Sequence, residues 1–193
     1  MKILLRAKHW QIFLMMYGIL ILLKIRFLVY LFLEATLGLE IDAFRFYDLI
    51  KYIPFILIVC IVVFYGWLAS VGFRFQKLIS NGVNRNVGLF SFCLLLPFLY
   101  FLFSIVTIFN EMFLLRAVNF IDIWKTISVF LFPISIASSL YAMYFVAKTL
   151  TTIELQREVH LIDTLLEFYR ICFFPYGIWE IQPKVNALLK KEE

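Results

Sequence analysis

Four apolar runs, at residues 10–33, 50–72, 87–109 and 126–147, decide what this chain can fold into. Each exceeds the roughly 20 residues that a helix needs to cross a hydrocarbon core about 30 Å thick. In lipid every backbone N–H and C=O must be satisfied within the segment, so runs of this kind cross as helices. Composition agrees. The hydrophobic set makes up 64% of the 193 residues and charged residues 16%, against about 25% charged in an ordinary soluble domain. The class this dictates is an all-α membrane protein with four transmembrane helices. Residues 1–147 form the bundle, and residues 148–193 a cytoplasmic or interfacial amphipathic segment. No internal repeat or low-complexity stretch breaks the chain, and the connector SNGVNRNVG at 80–88 is short and turn-rich.

Lysine and arginine set the expected orientation. With the N-terminus inside, the inner segments hold twelve basic residues and the outer loops only four: Arg45, Lys51, Arg116 and Lys125. Both termini are therefore expected in the cytoplasm. The first outer loop is acidic, through Glu34, Glu40, Asp42 and Asp48. Trp10, Trp67 and Trp179 fall near the inner interface and Trp124 near the outer one, as aromatic belts predict. The net charge of +5 comes from basic residues at span ends, not from one patch, so no nucleic-acid partner is expected. The first run is longer than a secretory signal and no small-residue cleavage site follows it. Cys60, Cys93 and Cys172 stand alone, indicating neither a disulfide framework nor a zinc site.

Beyond the fourth run, residues 158–174 predict an amphipathic helix. His160, Asp163, Thr164, Glu167 and Arg170 make a polar stripe, and Leu161, Leu165, Phe168 and Cys172 an apolar side. Such a helix lies in the membrane interface or packs under the bundle. A fifth crossing is rejected, because it would bury Asp163, Glu167 and Arg170. Pro175 is expected to end or kink this helix, Gly177 to supply a turn, Trp179 to anchor at the headgroups, and Pro183 to open a last short helix at 184–191. Together these four residues read as a membrane anchor.

The stretch AKTLTTIELQREV, followed by FFPYGIWEIQPKVN, resembles the C-terminal signature of a family of small four-span membrane proteins of Bacteroidota. The matching positions are Ala147, Lys148, Glu154, Leu155, Gln156, Pro175, Gly177, Ile178, Trp179, Ile181, Gln182, Pro183, Lys184 and Asn186. The opening HWQIFL at 9–14 is similar to that family's tryptophan-glutamine start. Tyr176 and Glu180 depart from it, where apolar residues are expected. The resemblance implies fold and location; no activity or catalytic residue carries over with it.

Three further groups carry candidate chemistry. Glu154, His160, Asp163 and Glu167 offer oxygen and nitrogen ligands for a metal at helical spacing; equally, they make the solvated face of an amphipathic helix, with Glu167 and Arg170 paired. Lys24 and Arg26 interrupt the first run. Counted from Ile12 at about 1.5 Å per residue, Lys24 lies roughly 18 Å into the core. The pair snorkels or marks an early exit, meets an acid such as Glu34 or Glu111, or lines a conduction or ligand path. Ser135, Ser138, Ser139 and Ala142 form a small-residue strip for close helix packing within the chain or between copies. Pro97 and Pro133 are candidate kinks.

No nucleophile with a histidine-acid partner, phosphate-cradling glycine loop, haem or flavin signature is present, and no cofactor is expected. The leading reading is a non-enzymatic membrane component that contacts lipid and self-associates or binds a protein partner, with a pore- or channel-like assembly as one form of it. The alternatives are a regulatory or scaffold subunit docking through 148–193, and a metal-dependent membrane enzyme.

Overall fold

The computed structural model describes residues 2–38, 52–79, 86–112 and 118–192, and every regular element among them is helical. In chain order these are α1 (Lys2–Arg6), α2 (His9–Leu37), α3 (Ile53–Gln76), α4 (Val87–Met112), α5 (Val118–Leu155), α6 (Leu161–Cys172) and α7 (Phe174–Glu192). Helices α2, α3, α4 and α5 are long and apolar enough to cross a membrane. The chain is an all-α integral membrane protein. The acidic loop residues Glu40, Asp42 and Asp48, the basic Arg45, Lys51, Arg85 and Arg116, and positions 80–85 of the connector lie outside the described residues, as does the side chain of Glu111.

Local chemistry sets where the spans begin and end. The Lys8 amide donates to Gln11 Oε1 (2.8 Å) and opens α2. Gly38 closes it with φ of 63°, its amide reaching the Glu34 carbonyl, a left-handed cap that favours glycine. Asn86 Oδ1 accepts from the Leu89 amide (2.9 Å) and starts α4. The span expected to leave at Ala147 continues to Leu155. Thr149, Thr151 and Thr152, which follow that bound, donate their hydroxyls to the carbonyls of Phe145, Ala147 and Lys148 and are buried. Pro97 and Pro133 lie inside α4 and α5, and both helices continue through them.

Packing is uneven along the bundle. Helices α3, α4 and α5 pack against one another, while α2 leans on α3 and, through its first turns, on α7. Along α2 the buried residues are Ile12 and Met16, both near its start. The core is concentrated at the end where α1 and α7 meet, around Trp67, Leu68, Val71, Phe75, Ile178 and Ile181. There Phe90 stacks on Phe145 (4.3 Å) and Phe174 sets its ring against Trp67 and Phe64.

The C-terminal elbow departs from expectation. Helix α6 does end at Cys172, but Pro175 sits in the first turn of α7, where a missing amide costs nothing. Pro183 neither opens nor breaks a helix; α7 runs through it to Glu192. The lost bond to the Trp179 carbonyl is tolerated because Gln182 and Val185, on either side of Pro183, are fully buried in the base. Gly177 is helical and makes no turn. It is required by proximity, since a Cβ there would overlap the carbonyl of Arg170 in α6. Gly177→Ala should therefore force α6 and α7 apart and cost roughly 1–3 kcal/mol. Thermal unfolding in detergent measures the loss, and an unchanged Tm would contradict this packing.

Candidate functional site

The polar side chains of the C-terminal segment converge beneath the bundle. Gln182 is fully buried. Its Nε2 donates to the carbonyls of Ala7 (2.8 Å) and Leu5 (3.0 Å), and its Oε1 accepts from Trp67 Nε1 (2.8 Å). These carbonyls belong to the end of α1 and the step into α2, where no intrahelical donor serves them. Asn186, one turn on, donates Nδ2 to Ala7 O at 3.3 Å. A buried polar group left unmatched costs about 1–3 kcal/mol, so this carboxamide fixes α1, α3 and α7 together.

Beside it lies a chain of charges. Lys184 Nζ bonds Glu167 Oε1 (2.7 Å) and Glu154 Oε2 (3.1 Å). Arg170 pairs with the same Glu167 oxygen (2.7 Å) and with Glu180. Glu180, where the resemblance predicts an apolar residue, thus serves as a partner for Arg170. Glu167 is almost fully buried, and its Oε2 has no hydrogen-bond partner among the described residues. Burial alone would push the Lys184 ammonium down; its hydrogen bonds to Glu167 and Glu154 outweigh that and hold it above the ordinary lysine value.

The metal candidates are thereby given other partners. Glu154 and Glu167 share Lys184. His160 is the N-cap of α6, its amide donating to Asp163 Oδ2 (3.1 Å), and Asp163 also meets Arg157 at 3.4 Å. Among the described residues, no three His, Cys, Asp or Glu side chains gather as a metal-holding group. The stripe on α6 turns inward: Thr164, Glu167 and Ile171 are buried. Leu161, Ile162, Leu165, Leu166, Tyr169 and Phe173 are exposed, Ile162 the most at 81%.

Trp179 is half exposed on α7, with its ring against His9 (4.5 Å) and Phe13 (5.8 Å). It joins the two ends of the chain while keeping one face outward. Ser135, Ser138, Ser139 and Ala142 are all buried inside the bundle, and Ser139 Oγ bonds Tyr65 OH at 2.7 Å. The strip therefore serves packing within one chain and is not open to a second copy. Lys24 and Arg26 are exposed on the C-terminal half of α2, with Arg26 reaching its own neighbour Tyr30 (3.4 Å).

Sequence reasoning passed over the role of Gln182. A carboxamide between Ile181 and Pro183, one turn before a second carboxamide at Asn186, was the available signal. Compared with models of known protein families, with curated proteins and with solved structures, the chain finds no match in any of the three.

Two outcomes test the base. Gln182→Leu leaves the Trp67 indole N–H and the Leu5 carbonyl unmatched and leaves Ala7 O with only the longer Asn186 bond, so a loss of about 2–4 kcal/mol and faster proteolysis before residue 9 are expected. An unchanged Tm and digestion pattern would exclude the clamp. For Lys184 the raised folded value gives the sign: its contribution is complete below the ordinary lysine pKa of about 10.4 and is lost as pH climbs through the folded one. The Tm gap between wild type and Lys184→Met should be open at pH 8 and close at higher pH. A gap independent of pH would show that the ammonium's charge is not what binds the three helices.

Proposed function

We propose that this protein is a non-enzymatic membrane component that associates with another membrane-embedded protein, a second copy of itself or a different partner, through the outer half of α2. The observation that carries this reading is the exposure of Lys24 and Arg26 on a span whose buried residues are confined to its first two turns. A basic residue at the centre of a span costs about 2.5–3.5 kcal/mol unless it snorkels or is paired. Exposed neighbours such as Leu22, Leu28 and Phe32 offer an apolar surface around the two cations. A facing helix that brings carboxylates would satisfy both.

The base has a different role in this proposal. Helix α6 lies in the interface of the inner leaflet with its exposed apolar side in lipid, and both termini are cytoplasmic in a bacterial inner membrane. The inward turn of its polar stripe supports this arrangement, because an outward apolar side has no use in water. It speaks against soluble docking through 148–193. Kinship with the four-span Bacteroidota proteins also belongs to the proposal. In its favour, residues of both signature ends meet: His9 with Trp179, Gln182 and Asn186 with the carbonyl of Ala7, and Lys184 with Glu154.

Native mass in nanodiscs tests the association. A defined oligomer, or a stoichiometric membrane partner, is expected for the wild type, and Lys24→Leu with Arg26→Leu should release it. A wild-type monomer with no partner retained would overturn the proposal. If an assembly persists in the double variant, α2 is not its contact.

A further inference from the structure

Between α2 and α5, across the face of α3, a cleft of about 510 Å³ opens sideways. Its size falls among ligand pockets, which run from about 300 to 1,000 Å³. Phe174 and Pro175, at the start of α7, form part of its lining at the base. Its walls include Leu57 and Leu140, which are themselves 38% and 45% exposed. The cleft is therefore continuous with the surface that the spans turn toward lipid.

One polar feature interrupts the apolar lining. Tyr65 OH and Ser139 Oγ, 2.7 Å apart, both border the cleft, and both residues are more than nine-tenths buried. Two hydroxyls carry two hydrogens, but they share one bond. Among the described residues neither hydroxyl hydrogen is given a second acceptor. Water is a poor occupant, since an ordered water needs two to four polar partners and these walls are mostly apolar. A hydrocarbon chain carrying one carbonyl matches both parts of the lining.

Depth selects the kind of chain. Tyr65 stands two residues from Trp67, whose indole bonds Gln182 in the base, so the hydroxyl pair is about 3 Å along α3 from that level. Leu57 lies eight residues further, about 12 Å deeper. An ester carbonyl near the headgroup level and an acyl chain rising toward the bilayer centre have this order. We propose that the cleft holds one acyl chain of a bilayer phospholipid, with its ester carbonyl accepting the spare hydroxyl hydrogen of the Tyr65–Ser139 pair. The site is separate from the outer half of α2 and does not depend on whether the protein assembles; it rests on the proposed placing of the base at the inner-leaflet headgroups.

The test uses the full chain in vesicles containing phosphatidylethanolamine with a diazirine in one acyl chain. Photolabelling should concentrate at residues 57–65 and 136–143, above the level at Val129 and Phe130 on the exposed side of α5. An ether-linked analogue lacks the carbonyl and should label the cleft about two- to tenfold less, the worth of one hydrogen bond. Tyr65→Phe with Ser139→Ala should remove that ester preference, and Ile61→Trp should block the cleft while Val129 stays labelled. Labelling no higher than at Val129 would mean surface lipid only and overturn the proposal. Equal labelling by ester and ether forms would overturn the role of the hydroxyls. Rapid modification of Cys60, which lines the cleft, by a charged membrane-impermeant thiol reagent would show water in place of a lipid chain.

Discussion

The carboxamide of Gln182 is the point on which the base of this protein depends. It is one of the few side chains that can donate to two carbonyls and accept from an indole at once. Each of its partners comes from a different place: the step between α1 and α2, and the middle of α3. Buried in an apolar base, the group has no water to fall back on, so its bonds act as position markers as well as sources of stability. The ion pairs of Lys184 and Arg170 lie at its edge and are partly solvated, so they add less and tolerate more.

This concentration of polar bonds explains the uneven packing above it. Lipid offers no hydrophobic force between helices, so spans hold together by close packing and a few polar contacts. Helices α3, α4 and α5 have these, in the stacked Phe90 and Phe145 and the bond from Tyr65 to Ser139. Helix α2 has them only at its foot, where Ile12 and Met16 are buried. Above that level it stands away from α5, and the separation creates both the lateral cleft and the exposed stretch bearing Lys24 and Arg26.

The four spans were legible because bilayer thickness writes directly into run length. The amphipathic helix was legible in its spacing, but not in the direction of its faces. Periodicity reports that Glu167 and Ile162 lie on different sides; it does not report which side the base covers. Pro183 misled for a related reason. Local rules open or break a helix at proline, whereas here a tight base carries α7 through it; α5 likewise runs past Ala147, its threonine hydroxyls bonded back to its own carbonyls. Gly177 was singled out correctly and explained wrongly, because its cause is a carbonyl seven residues earlier in another helix. Glu154 and Glu167 do come together, but around Lys184, which is far along the chain from both and adjacent to both in space. The role of Lys184 becomes visible only once α7 is laid against α6.

The clamp also has a consequence in time. The carbonyls of Leu5 and Ala7 leave the ribosome well ahead of the side chain that satisfies them, which is 175 to 177 positions behind. At about 5–20 residues per second, they wait some ten seconds or more during synthesis. Until then α1 has only its packing on α3 to hold it, and the Trp67 indole lacks its Gln182 partner. Closure of the base therefore waits on the synthesis of α7, and a chain interrupted before Gln182 leaves these groups without the carboxamide that joins them.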